Sequence, residues 1–193
     1  EEGLLEETLI IFSSDNGPVL NDGYNDQAVE LLGNHDPNGG LRGGKYSLYE
    51  AGTRVPFFVW WEGVSEPGVS EALVSHMDIP ASIAVLVGSK VDFTDSRNLL
   101  ETFLGKSDKG RNSLVIEATS RTAYRKDQWV LIPPYEGPEV NTLVNIELGN
   151  SDVWQLYDLE KDPMQANNLA DDYPELVDQL ATEFTSIRGD VYE

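Results

Sequence analysis

The sequence has no cysteine and only two histidines in 193 residues. Without thiols, a disulfide scaffold and a zinc–thiolate centre are both excluded. Basic residues are scarce as well: 13 Lys+Arg stand against 34 Asp+Glu, for a formal net charge of −21. A surface of that sign repels a phosphate backbone, so nucleic acid is excluded as a partner. No apolar stretch nears the roughly 20 residues that span a bilayer, the longest running around Ile79 to Val87, so no membrane span is expected. No targeting segment is visible. The chain opens on Glu1-Glu2-Gly3, which reads as the last turn of an element already under way, and a piece of a longer polypeptide is expected.

Against those absences, 40% of the residues are hydrophobic and 9% aromatic, enough for an ordinary core and against disorder. Thr8-Leu9-Ile10-Ile11-Phe12-Ser13-Ser14 is a short apolar run closed by the turn-forming string Asp15-Asn16-Gly17-Pro18. Its length and β-branching predict a buried parallel strand. Residues 17–47 are glycine-rich and read as a long functional loop, with a helical turn near Gln27 to Leu32. Val55 to Trp61 is a second expected buried strand, with Trp60 and Trp61 as core and rim. Ser75 to Val87 follows helical logic: Ser75 or Asp78 caps it, Pro80 sits in the first turn, Gly88 ends it, and Ile79, Ile83, Leu86 and Val87 form a stripe.

Beyond about residue 105 the pattern changes to short strands at Leu114–Ala118, Trp129–Ile132 and Trp154–Leu159, the pattern of a small antiparallel sheet. The segment Asp171–Ile187 predicts a closing amphipathic helix with Leu176, Leu180, Phe184 and Ile187 on one face. Residues 150–193 carry eleven Asp/Glu against two Lys/Arg, a solvated acidic surface.

Three sets of side chains could carry chemistry. Asp15 and Asn16 at a strand terminus supply hard oxygen ligands suited to calcium or magnesium, and equally make a simple turn. Arg42-Gly43-Gly44-Lys45 puts two cations on flexible backbone in an acidic chain, suiting a sulfate or phosphate group or else a solvated surface turn. His35 in the same loop is a candidate ligand, general acid or substrate contact. His76 reads as structural, and Glu50 and Arg54 as a structural pair. No nucleophile elbow or triad spacing occurs.

Taken in order, Thr8 to Gly17, Leu41-Arg42-Gly43-Gly44-Lys45 and Tyr49-Glu50-Ala51-Gly52-Thr53-Arg54-Val55-Pro56-Phe57 resemble the second half of a formylglycine-dependent sulfatase of the arylsulfatase type. Ser75-His76-Met77-Asp78-Ile79-Pro80, Trp129-Val130-Leu131-Ile132, Leu156-Tyr157-Asp158-Leu159, Asp162-Pro163 and Asn167-Asn168-Leu169-Ala170 continue the resemblance along nearly the whole chain. It implies an α/β fold, part of an alkaline-phosphatase-like sheet sandwiched by helices, with a small C-terminal subdomain of antiparallel strands plus a helix. Residues 1–105 would belong to the catalytic domain and 106–193 to that subdomain.

The resemblance implies hydrolysis of sulfate esters of carbohydrate or aryl type, in which a formylglycine hydrate attacks sulfur and calcium neutralises the sulfate. By motif match Asp15 and Asn16 would be two calcium ligands and Lys45 the catalytic contact to sulfate, with Arg42 and, more loosely, His35 beside the substrate. The family's Cys-x-Pro-x-Arg or Ser-x-Pro-x-Arg string does not occur here, so the nucleophile would lie in a missing N-terminal half and this chain alone would not turn over. A related phosphoester or phosphonate hydrolase and a non-catalytic module binding sulfated glycan stand as alternatives. The expected partners are a sulfated small molecule or glycan and the N-terminal half, with a homo-oligomer left open. Export is implied by the family alone. An apolar face left open on the first strand is expected to need covering.

Overall fold

In the computed structural model, which describes residues 3–189, the elements run β1 (Ile10–Ser13), α1 (Ala28–Leu31), α2 (Glu50–Thr53), β2 (Phe57–Trp60), α3 (Ile79–Leu86), α4 (Leu100–Phe103), β3 (Ser113–Ala118), β4 (Arg121–Lys126), β5 (Trp129–Ile132), β6 (Val140–Asn141), β7 (Ile146–Glu147), β8 (Gln155–Asp158) and α5 (Pro174–Arg188). The element end expected around Glu1-Glu2 lies outside the described residues. Two compact units alternate along the sequence: the segment up to Ser13 joins Pro56–Asn112, and Ser14–Val55 joins the segment from Ser113 onward. This is a mixed α/β chain, as the residue patterns imply.

In the first unit β1 and β2 pair antiparallel, with Ile10 opposite Trp60 and Phe12 opposite Phe58. The buried parallel strand expected at Thr8–Ser14 is therefore corrected on both counts. Alternate residues of each strand point away from the unit, leaving Phe12 62% and Phe58 64% exposed with Ile10 and Trp60 beside them. Among the described residues no element of this unit covers that face, so Trp60 is no core residue here, while Trp61 donates its indole N–H to the Glu6 carbonyl at 2.6 Å.

The predicted helix start is confirmed. Ser75 accepts from Met77 N, Asp78 accepts back from Ser75 N, and Pro80 lies in the first turn of α3. Of the expected stripe Ile79, Ile83 and Leu86 are half-buried and Val87 is exposed, while Ser82 and Ala84 are buried. At the start of α3 Asp78, fully buried, accepts from the Arg97 backbone and from Nε and Nη2 of Arg111 at 2.5–3.0 Å. Ser82 Oγ donates to the Asp78 carbonyl and accepts from Leu99 N, tying α3 to the chain that follows it. His76 Nε2 lies 2.7 Å from Ser13 Oγ, a structural placement.

The second unit is built on a four-stranded antiparallel sheet in the order β3-β4-β5-β8. The pleat sends alternate residues to opposite faces. Tyr124, Leu131 and Leu156 meet Val177, Leu180 and Phe184 of α5, with Tyr124 and Phe184 stacked at 5.7 Å. Ala123, Val130, Ile132 and Tyr157 face the other way, onto Leu48 and Tyr49. Val177 and Ala181 complete the helix stripe in place of Ile187, which is 56% exposed near the helix end. Strand β4 has no counterpart in the sequence-based expectation, because three cations in six residues masked Ala123 and Tyr124. The consequence for function is positional: α5 occupies one face of this sheet, and the loop containing Arg42 to Gly52 is packed onto the other.

Candidate functional site

All five sequence-predicted site residues, Asp15, Asn16, His35, Arg42 and Lys45, fall in the second unit. The backbone draws the strings that hold four of them together. Gly17 N donates to the Gly52 carbonyl at 2.8 Å, and Lys45 N donates to the Pro18 carbonyl at 2.9 Å. Glycine is required at the first of these contacts, since a Cβ on Gly17 would lie 1.6 Å from the Ala51 carbonyl oxygen. At Gly44 a Cβ would sit 2.8 Å from the Pro18 carbonyl oxygen, at a φ of +154°. The Asp-Asn-Gly-Pro and Arg-Gly-Gly-Lys strings are thus stitched by main-chain bonds at van der Waals limits.

Asp15 is exposed and no charge or donor is recorded against its carboxylate among the described residues. Asn16 is half-buried, and its amide nitrogen donates to the Gly17 carbonyl at 2.9 Å, which leaves Oδ1 as the acceptor for a cation. A carboxylate and an amide oxygen suit a hard cation. Among the described residues no group of three or more His, Cys, Asp or Glu converges, so further ligands to such an ion would come from elsewhere. The donor set fits calcium in kind and falls short of it in number.

The two cations of the Arg-Gly-Gly-Lys string have different surroundings. Arg42 reaches Glu147 of β7 through Nε at 2.6 Å and Nη2 at 3.2 Å, donates from Nη1 to the Gln165 carbonyl at 2.9 Å, and lies 4.0 Å over the Tyr49 ring. Burial works against its charge, but the Glu147 hydrogen bonds and neighbouring charges hold it above its ordinary range, and Glu147 is held below its own in return. Lys45 is half-buried, its ammonium 5.5 Å from the Tyr46 ring centroid, and no carboxylate pairs with it among the described residues. Arg42 is thus paired with a carboxylate and Lys45 is not, which leaves the Lys45 ammonium as the cation of this string open to an anion.

His35 is exposed, its N–H bonded to the Leu32 carbonyl at 3.1 Å. The turn after it is shaped by Asp36, which accepts from Asn38 N and Gly40 N, and Asn38 Nδ2 donates to the Gly43 carbonyl at 2.8 Å. The histidine loop is thereby joined to the Arg-Gly-Gly-Lys string without His35 itself contacting it.

Sequence reasoning missed the support beneath these residues. Gln165 is fully buried, at a φ of 52°, and its side-chain oxygen accepts from Glu50 N at 2.7 Å while its carbonyl takes Arg42. Buried Glu50 pairs with Arg54 at 3.3 Å, as expected, and also faces Arg125 of β4 at 3.7 Å. Tyr49 and Tyr157 both donate to Gln155 Oε1 at 2.8 Å, and burial pushes both phenols above their ordinary range. No local spacing could have revealed Glu147 or Gln165, which lie 105 and 123 positions from Arg42.

Residues 1–89 match the family model described as Sulfatase. An N-acetylgalactosamine-6-O-sulfatase of Bacteroides thetaiotaomicron is 44% identical over 96% of this chain, and arylsulfatase A of Homo sapiens is 36% identical over 58% of it. The chain spans 37% and 21% of the lengths of these two relatives. A solved structure from work on glycosaminoglycan metabolism by Bacteroides thetaiotaomicron matches with a TM-score of 0.90 at 44% identity, covering 95% of this chain and 39% of that one. PsFucS1 sulfatase from Pseudoalteromonas sp. shares the fold, with a TM-score of 0.69 at 21% identity over 95% of this chain and 37% of that one.

Proposed function

Because this chain belongs among the sulfatases, we propose that it contributes the calcium-side and sulfate-side portion of a sulfuric ester hydrolase acting on sulfated carbohydrate, with the formylglycine nucleophile supplied by polypeptide outside these 193 residues. The observation that carries this reading is the pair of main-chain bonds from Gly17 and Lys45, which locks the Asp-Asn and Lys strings into one body. Two oxygen donors and an unpaired ammonium on the same stitched loops suit an ester whose sulfate needs charge neutralised on more than one oxygen.

In this reading Asp15 and Asn16 hold calcium, which when bound supplies positive charge to the sulfuryl oxygens. Lys45 donates hydrogen bonds to the sulfate and stabilises charge that grows as the S–O bond to the alcohol breaks. Arg42, already engaged by Glu147 and Gln165, braces the loop that presents Lys45 from within hydrogen-bond reach of the sheet unit. His35 lies on the side of the leaving alcohol. The absence of a Cys-x-Pro-x-Arg or Ser-x-Pro-x-Arg string supports a nucleophile from elsewhere in the protein. Among the described residues no helix is long and apolar enough to cross a membrane, and export of the enzyme is part of the proposal.

The relative that is 44% identical makes N-acetylgalactosamine 6-sulfate the first substrate to try. In the full-length enzyme, Lys45→Ala and Asp15→Ala are each expected to reduce sulfate release by about 100-fold or more, the scale of losing a transition-state charge contact. Release unchanged in both variants overturns the assignment of the site.

A further inference from the structure

The turn that joins β3 to β4 carries a strain with no evident structural purpose. Its two residues, Thr119 and Ser120, both adopt left-handed backbone, with φ of 53° and 65°. Such a two-residue hairpin is ordinarily made by Asn-Gly or Asp-Gly, and a β-branched residue there is an outlier. Strain of this kind persists where the surroundings over-determine it, most often at functional positions.

A second outlier lies against the first. Tyr46, the residue after Lys45, is held at a φ of 77°. Its carbonyl accepts a hydrogen bond from Thr119 Oγ1 at 3.1 Å, with Arg121 Nη2 3.5 Å from the same oxygen. Arg121 Nη2 also donates to Thr119 Oγ1 at 3.1 Å, fixing the hydroxyl so that its proton points to Tyr46. The other arm of the guanidinium donates to the side-chain oxygen of Asn150, a buried residue whose Nδ2 is bonded to the Pro138 carbonyl at 2.7 Å. A relay of fixed groups therefore runs from Pro138 through Asn150, Arg121 and Thr119 to the carbonyl of Tyr46, the residue after Lys45. On the other side of that lysine, Gly43 and Gly44 have φ of 90° and 154°, so the backbone around Lys45 has little conformational preference of its own.

We propose that Thr119, backed by Arg121, is a positioning residue for Lys45: its hydroxyl holds the strained Tyr46 carbonyl, and so sets where the Lys45 ammonium stands when sulfate is bound. The lysine amide is pinned by Pro18 on one side, and on the other the carbonyl of the following residue, Tyr46, is pinned by Thr119. With both pins in place the side chain starts from a fixed base, and without the second the peptide can relax out of its left-handed state and carry the ammonium with it. This proposal rests on the reading of Lys45 as the sulfate contact.

The test uses the full-length enzyme carrying Thr119→Gly, Thr119→Ser, Lys45→Ala, or Thr119→Gly with Lys45→Ala. Glycine removes the hydroxyl and relieves the left-handed strain, so a merely structural Thr119 gives unchanged turnover and an equal or higher Tm. The positioning role gives a loss of about 10-fold in kcat/KM with Tm not lowered, and Thr119→Ser restores most of it. Binding of inorganic sulfate, followed by calorimetric titration, is expected to weaken in Thr119→Gly and in Lys45→Ala, with the double variant no weaker than Lys45→Ala alone. Full activity in Thr119→Gly, or losses of sulfate affinity that add in the double variant, overturns the positioning role while leaving the function of Lys45 standing. Unchanged sulfate release in Lys45→Ala overturns both.

Discussion

Substituting alanine at Gly17 tests how closely the site depends on contact between main chains. The new Cβ would start 1.6 Å from the Ala51 carbonyl oxygen, 2.7 Å from its carbon and 3.0 Å from the Gly52 Cα. Real Cβ atoms essentially never approach within 3.0 Å, so roughly 1.4 Å of movement is needed, and the obstacle is backbone rather than a side chain that can swing aside. Overpacking of this kind costs about 1–3 kcal/mol, and losing the 2.8 Å bond from Gly17 N to Gly52 O adds about 1 kcal/mol. A total of about 2–4 kcal/mol corresponds to a fall of about 4–16 °C in Tm for a chain of this size. Under the proposed function, the effect on turnover is expected to exceed what the loss of stability alone would give. Asp15 and Asn16 immediately precede the displaced residue, and a misplacement near 1 Å at a reacting site costs about 100-fold in rate. The assays are sulfate release by the full-length enzyme and a thermal melt, with Gly68→Ala as control, a position outside the left-handed region with open space around it. Near-wild-type turnover and Tm in Gly17→Ala would refute the close-contact argument.

Two further outcomes concern stability. Asp78→Ala strands the Arg111 guanidinium in a buried setting, where it is 8% exposed, and is expected to cost about 3–5 kcal/mol in denaturant unfolding; a loss below about 1 kcal/mol would show that the pair is not what anchors α3. Arg42 holds the Glu147 carboxyl below its ordinary 4.5, chiefly through their hydrogen bonds. A depressed folded-state value means that the unfolded chain binds the proton more readily, so the contribution is present above about pH 4.5 and is lost as the pH falls through the lower folded value. Melts between pH 6 and 3 are expected to fall less steeply for Glu147→Gln than for the wild type, and identical slopes would remove Glu147 from the acid response.

The parts of this molecule governed by local rules were legible in its residues. The capping pair of Ser75 and Asp78, the Pro80 start, strand Trp129–Ile132 and the terminal helix each depend on spacing within a few positions, and the structure places them as read. The misreadings of burial have one cause, which is that burial is a property of neighbours. The run at Ile10–Ser13 is apolar enough for an interior strand, yet among the described residues it pairs with β2 alone and leaves Ile10 and Phe12 exposed. Val87 and Ile187 fit their helical stripes but finish 70% and 56% exposed. Around the candidate site the strings themselves could be read, whereas their bracing could not. Glu147, Gln165 and Thr119 carry no signal in their own surroundings and acquire a role only when the sheet carries them to the loop.

The bracing of Arg42 has a consequence in time. Its two partners are 105 and 123 positions further along the chain. At the about 5–20 residues per second at which polypeptides are synthesised, they emerge about 5–25 s after the arginine does. For that interval Leu48 and Tyr49, which finish with 1% and 4% of their surface exposed, have no sheet to lie against. A ribosome paused between the two halves of this unit would hold out a glycine-rich loop with bare apolar residues, a binding target for chaperones during the wait.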